Sequence, residues 1–408
     1  MTPKKAPVRT SAWKVLPAAV LLCVTASTAQ QLPQLNRSHS FGPDQCGPAD
    51  PAYIKTANET GGVPLFLQRN EAGKAMQLML ESTRENVSTV LWASAKLAGP
   101  QKFEIPIDSV TERITFTFSV DTKGTKLVLR QPNGHEVTAA SPAVKDTELN
   151  CGRIITLVKP QPGIWRAEIT GTGTFWLEAQ AQSDIYFIKA EFVELGGRPG
   201  HQGLFRIQGQ PIAGRPATLQ VSISATQART TEIVLVSAKG DVLEKLHLNT
   251  TDRDREFLEL TGDVTLPSVP FRIAVTGRDA KGMPYQRFDS PLLHAETVQV
   301  VPRLRFDEIA PGSTQTADFE IKNFGPPRTF KVTVTDAHKF VTDIEPKQLS
   351  LGANATSTLK LHLSVPAGTQ PGLGDDLVVV VASASGQPTT NSAVVHLSVA
   401  TKSADTQR

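Results

Sequence analysis

The chain has 408 residues, with 42 Lys and Arg against 39 Asp and Glu, a formal net charge of +3. Lys4, Lys5, Arg9 and Lys14 supply that surplus, and without the first 29 residues, which hold no acid, the balance is 38 against 39. A near-neutral chain lacks the basic footprint that phosphate backbones require, which excludes nucleic acid as a partner class.

The basic start, the short apolar run Val15–Val24 broken by Pro17, and the small residues Ser27-Thr-Ala29 read as a cleaved signal peptide over 1–29, with Gln30 as the first mature residue. The run is far shorter than the ~20 residues that span a bilayer. The expected location is therefore secreted or periplasmic, with no membrane span in the mature chain. Leu22 stands before Cys23 where a lipoprotein signal would carry a small residue, so no lipid anchor is expected. Roughly 380 mature residues exceed what one core holds and imply two to four domains. Sequons stand at Asn36, Asn58, Asn86, Asn249 and Asn354, relevant only in a eukaryotic secretory route.

Residues 30–48 are polar, rich in Pro and Gln, and read as a linker. Helix signals follow. Asp50-Pro51 gives an N-cap with proline at the first helical position, and Gly61-Gly62 a stop, framing a helix over Ala52–Thr60. Pro64–Leu67 reads as a short strand, and Asn70 as the cap of a second helix with Ala72, Met76, Met79, Leu80 and Thr83 on one face. This small αβ segment is assigned residues 49–98.

From about Val87 the period becomes two. Phe103–Ile107, Ile114–Phe118, Lys126–Leu129, Arg153–Leu157, Trp165–Ile169 and Phe175–Ala179 alternate between apolar and polar, with turn chemistry at Pro132-Asn-Gly134, Pro160-Gln-Pro-Gly163 and Gly171-Thr-Gly173. Short alternating strands at this spacing predict a β-sandwich over 99–185. A second set, including Tyr186–Phe192, Ala217–Ser224, Glu232–Ser237 and Phe271–Thr276, predicts an immunoglobulin-like sandwich over 186–301. A third set after Val301-Pro302 predicts another over 302–400, with a disordered tail at 401–408. The expected fold class is mainly β: three immunoglobulin-like or jelly-roll-like sandwiches in series behind the αβ segment.

Asp50-Pro-Ala-Tyr-Ile, Thr60-Gly-Gly with Phe66, Ile105-Pro-Ile-Asp108, Leu129-Arg-Gln-Pro-Asn-Gly134, Val158-Lys-Pro-Gln-Pro-Gly-Ile-Trp165 and Val275-Thr-Gly-Arg-Asp279 with Gln286-Arg287 occur in an order that resembles hemicentin-type extracellular proteins, from the end of their von Willebrand A domain onward. The Asp-x-Ser-x-Ser loop that opens a complete A domain and holds Mg²⁺ is absent before Asp50, so the resemblance carries over no metal-dependent adhesion. Ile321-Lys-Asn-Phe-Gly325 and Val365-Pro-Ala-Gly368 resemble the immunoglobulin-like modules of exported bacterial proteins, which implies spacing, docking or binding roles.

Chemistry is sparse. No Gly-x-Ser-x-Gly elbow occurs, and the eight histidines show no His-x-His or His-x-x-x-His pairing. Asp252-Arg-Asp-Arg-Glu256 reads as a charged loop because its arginines would repel calcium, and Asp375-Asp376 as a solvated turn. Cys46 and Cys151, the two mature cysteines, are expected to form a disulfide that pins the αβ segment to the first sandwich; a reduced, apolar-packed pair is the alternative. Trp176 follows Phe175 in an alternating strand, so one of the two must face outward, and Trp176 is the expected surface contact. These features imply a non-catalytic interaction or adhesion protein without metal or cofactor, engaging a protein or glycan outside the cytoplasm. The alternative is a carbohydrate-binding accessory protein of the cell envelope, with Trp176 stacking on the sugar.

Overall fold

The computed structural model describes Cys46 and residues 50–401, except 142, 198–199, 201, 225–226, 254–256, 305 and 387. The expected signal peptide, the expected linker apart from Cys46, and the tail expected beyond 401 lie outside the described residues. The chain divides into two compact units at Ser183/Asp184.

The first unit begins with α1 (Pro51–Thr60), whose amide at Ala52 donates to the Asp50 carboxylate at 2.9 Å and whose left-handed C-cap is Gly61. Residues 62–68 run extended without ladder pairing, so the strand expected at Pro64–Leu67 does not form. The second helix enters through a 3-10 turn at Arg69–Glu71, and α2 spans Ala72–Ser82. Its cap is not Asn70. The Gln68 amide donates to the Glu71 carboxylate at 2.9 Å in a reciprocal capping box. The face that carries Met76 and Leu80 is in part solvent-exposed, with Met76 53% and Leu80 67% accessible.

Eight strands follow: β1 (Val87–Lys96), β2 (Gln101–Ile107), β3 (Thr111–Val120), β4 (Lys126–Arg130), β5 (Val144–Leu149), β6 (Gly152–Val158), β7 (Gly163–Thr170) and β8 (Thr174–Ser183). Within this unit one sheet runs β1-β8-β3-β6-β5 and the other β2-β7-β4, all antiparallel. Because β1 pairs along its length with β8, the expected boundary at 98/99 cuts off a strand that belongs to the sandwich. Ile105, Leu129, Trp165 and Ile169 of the smaller sheet meet Leu91, Phe116, Phe175 and Leu177 of the larger in one core. The smaller sheet turns a polar face to water, where Arg166 lies 3.7 Å from Glu104 and Lys102 3.7 Å from Glu168. The larger sheet is buried on both faces along β1, β3 and β8.

The second unit holds two sandwiches. In the first of them, β9 (Phe187–Gly196), β10 (Gly203–Arg206), β11 (Pro216–Ser224), β14 (His247–Arg253) and β15 (Phe257–Thr265) form the sheet β10-β9-β11-β15-β14. Facing it are β12 (Ala228–Ser237), β13 (Val242–Lys245), β16 (Phe271–Asp279) and β17 (Pro284–Phe288), in the order β13-β12-β16-β17. Phe192 meets Phe271 edge-on at 6.4 Å between the two sheets.

The last sandwich pairs β18 (Val298–Pro302), β20 (Thr314–Asn323), β22 (Val341–Glu345) and β24 (Thr356–Ser364), in the order β18-β20-β24-β22, with a second sheet. That sheet runs β19-β26-β25-β21-β23, from β19 (Glu308–Ile309), β21 (Arg328–Asp336), β23 (Gln348–Leu351), β25 (Gly374–Ser383) and β26 (Thr390–Val399). Val298 and Val300 lie in the core of this sandwich, and β18 pairs with β20 from Val298 to Pro302. The boundary expected at 301/302 therefore falls inside a strand. Proline marks the end of this edge strand and not the start of the domain, since an edge position tolerates a missing amide.

Candidate interaction surfaces

The outward face of the larger sheet in the first unit was expected to offer Trp176 to solvent. It does not. Register places Ser94, Trp176 and Ser119 in one row and Trp92, Glu178 and Thr117 in the next, all on the face away from the core. Trp176 is 3% and Trp92 2% exposed, because the segment before α2 lies over them. The indole of Trp176 donates to the Asn58 side chain at 2.9 Å and its ring stands 5.7 Å from Phe66. The indole of Trp92 donates to Gly62 O at 3.2 Å, and Ser119 Oγ to Pro64 O at 2.5 Å. The same hydrogen bond occupies the Asn58 side chain, which heads one of the sequons. With the sugar-stacking candidate sealed, the carbohydrate reading loses the residue that motivated it.

Cys46 and Cys151 are joined, with Cα atoms 5.8 Å apart and a sequence separation of 105. The bridge enters the turn from β5 to β6, where Gly152 is obligatory: a Cβ there would stand 2.3 Å from Phe118 O. Glu71 grips the same turn. Its carboxylate accepts from the Asn150 amide at 2.7 Å with one oxygen and caps α2 with the other, and it is 6% exposed. Lys74 Nζ adds a bond to Glu148 O at 3.0 Å. The spacing Gln68-x-x-Glu71 was the sequence signal for this residue, obscured by the stronger-looking cap at Asn70.

Asp375 and Asp376 sit in β25 and not in a turn. Successive side chains of a strand point to opposite faces, so the two carboxylates cannot share an ion. Asp376 reaches His396 at 2.5 Å on the exposed side, while Asp375, 4% exposed, meets His338 at 3.1 Å. Burial first, then the neighbouring Asp336, raises the Asp375 pKa. Among the described residues no group of three or more His, Cys, Asp and Glu is set to hold a metal. The charged loop at 252–256 lies largely outside them.

Within the second unit the two sandwiches meet at a built joint. The Asn391 side chain accepts from the Gln210 amide at 2.7 Å and donates to Gln210 O at 2.9 Å and Val298 O at 2.8 Å. Gly209, at φ +67, passes so close that a Cβ would stand 2.1 Å from Asn391 Oδ1. Glu296 accepts from Thr389 Oγ1 at 2.7 Å and from the Thr390 amide at 3.1 Å. Beside this joint is a cleft of about 820 Å³ whose walls include Val193, Ile212, Val300 and Phe324. Its cationic edge is Arg215, whose guanidinium lies 4.8 Å over the Phe324 ring.

The sandwich that closes the second unit matches a family model. Residues 300–401 match the VWA7 Ig-like domain family. This module begins inside β18 and takes in the remaining strands. Two curated proteins are also similar to this chain. The von Willebrand factor A domain-containing protein 7 of Mus musculus is 25% identical over 241 residues, covering 56% of this chain and 26% of that protein. Its counterpart from Homo sapiens is 25% identical over 245 residues, with the same coverage. The chain thus spans about a quarter of the length of the curated relatives it matches. The ectodomain of mouse nectin-like molecule 4 overlaps with a TM-score of 0.18 at 9% identity, over 72% of this chain and 95% of that one, too low to carry an argument. Residues 300–401 are thus similar to an immunoglobulin-like domain of the VWA7 type. No helix among the described residues is long and apolar enough to cross a membrane.

Proposed function

We propose that this chain is an exported, non-catalytic interaction or adhesion protein that engages a protein partner outside the cytoplasm. The observation that supports this most directly is the VWA7 Ig-like module at 300–401, joined to a preceding sandwich by the Asn391 and Glu296 bonds. A pair of sandwiches joined by these bonds presents strand edges, loops and a cleft, which suits recognition by surface complementarity. The hemicentin-type likeness of 50–300 and the bacterial-type likeness of 303–400 point to the same class of role, and the signal peptide to export.

The exported chain, immobilised, is expected to retain a protein ligand from the extracellular fraction of its source. Retention should saturate, survive EDTA and return the ligand intact. A ligand returned cleaved, or saturable binding confined to glycans on an array, would overturn the proposal. N-terminal sequencing of the exported protein is expected to begin at Gln30.

A further inference from the structure

We infer that β10 is a homotypic docking edge, through which two copies of this chain pair as antiparallel strands. The inference goes beyond the proposed partner-binding role and stands independently of it.

The geometry starts from one hydrogen bond. The Ile207 amide donates to Phe192 O at 2.9 Å, and the ladder of β9 and β10 pairs Arg206 with Val193, Phe205 with Glu194, Leu204 with Leu195 and Gly203 with Gly196. Hydrogen-bonded and non-bonded pairs alternate along an antiparallel ladder. Ile207, Phe205 and Gly203 therefore direct their backbone groups toward β9, and Leu204 and Arg206 direct theirs away from it. Among the described residues β10 is the last strand of its sheet, and these outward groups form an edge that no described strand pairs.

Four of the other sheet edges carry the usual protection. β5 holds Lys145, Asp146 and Glu148, and β13 holds Glu244 and Lys245. β22 holds Asp343 and Glu345 together with a bulge, and β18 ends in Pro302. β10 reads Gly-Leu-Phe-Arg, with Leu204 41% and Phe205 49% exposed and the paired Leu195 77% exposed. An apolar, weakly charged edge is a template for another strand.

A second copy is the occupant because the edge complements itself. In a two-fold antiparallel pair the outward residues must face each other, and setting Leu204 opposite its own copy satisfies this. One face then carries a continuous row, Leu195–Leu204 of one copy meeting Leu204–Leu195 of the other. On the opposite face Phe205 of each copy lies beside Gly203 of the other. That space suits an aromatic ring, since Phe205 already covers Gly196, where a Cβ would stand 3.2 Å from its ring. Arg206 faces Gln202, which removes like-charge opposition from the seam. Four paired residues bury less than the roughly 800 Å² per partner of a standard stable interface, so association is expected to be reversible and concentration-dependent.

Sedimentation equilibrium of the mature chain over the micromolar range is expected to show a monomer–dimer equilibrium. Leu204→Lys should weaken it at least tenfold, while Val242→Lys, on a different edge, should leave it unchanged. Near-ultraviolet circular dichroism checks that both variants fold. Under mild oxidation Leu204→Cys should form a covalent dimer and Phe205→Cys should not. A wild type that stays monomeric throughout, dimerisation unaffected by Leu204→Lys, or cross-linking through position 205 in place of 204 would each overturn the inference.

Discussion

Asp289 is a carboxyl that gives up its proton at a higher pH than it would in water. It follows β17, and burial outweighs the attraction of Arg272 to push its pKa from 3.8 to about 6. A raised folded-state pKa means that the stability it contributes is complete below about pH 4 and is lost as pH rises toward 6, because the unfolded chain ionises first. Discounted for partial exposure, the loss is about 2 kcal/mol. Urea denaturation of Asp289→Asn is expected to match the wild type at pH 4 and to exceed it by about that amount at pH 8. Equal stability of the two proteins at both pH values would show that the site does not titrate in this range. Asn323 is a structural residue of a different kind. Fully buried at the end of β20, it donates to Pro326 O, Leu351 O and Gly352 O and accepts from the Gly325 amide. The Ile321–Gly325 motif thus has a mechanical reason: one side-chain amide ties the turn at 325–326 to the segment 351–352. Asn323→Ala leaves these carbonyls without that donor and is expected to cost roughly 2–3 kcal/mol, measured by chemical denaturation.

At the scale of elements, the helical segment is held to the first sandwich by a few strong points. Two short helices cannot stand alone, and α2 leaves Met76 and Leu80 in solvent, so little of the attachment comes from the apolar face that its periodicity suggested. The attachment includes the disulfide, the Glu71 clamp, the Phe66–Trp176 contact and the hydrogen bonds of Trp176, Trp92, Ser119 and Lys74. The bridge closes 105 residues, for which chain entropy gives about 4 to 5 kcal/mol as an upper figure. The Cys46→Ser/Cys151→Ser variant is expected to lose stability of that order and to become sensitive to limited proteolysis between residues 50 and 85 before the sandwich unfolds. Simultaneous loss of segment and sandwich would mean that the segment is part of the core. Here the sequence was informative at the helix ends, since Asp50 and Gly61 are local signals, and uninformative about Trp176. Alternation requires a second face for that strand, but whether water or another segment covers it depends on chain folded back from elsewhere.

For the whole molecule, the position of β18 and the Asn391 joint decide how the second unit comes apart. A fragment of residues 296–401 retains Val298 and Val300 in the core and is expected to unfold in one cooperative transition. The shorter fragment 302–400 lacks them and should be less stable by several kcal/mol, since deleting two buried valines and their strand pairing removes at least the ~1.5 kcal/mol per side chain of apolar burial. Equal melting of the two fragments in calorimetry would show that β18 contributes nothing to the module. Joined to the preceding sandwich, residues 184–401 should melt higher still, with the increment reduced by Asn391→Ala.

The sequence by itself determined the mainly β class, the succession of sandwiches, the first helix and its caps, and the two cysteines available for one bridge. Each follows from local rules, namely period two, turn residues and capping chemistry, which act within a few residues. Only the tertiary structure decided that Trp176 is covered, that Asp375 and Asp376 face apart, that Glu71 clamps a turn 79 residues away, and that the last sandwich starts before Pro302. These depend on which distant surfaces meet. A strand's alternation specifies two faces, and what lies against each is fixed by packing between segments remote in sequence.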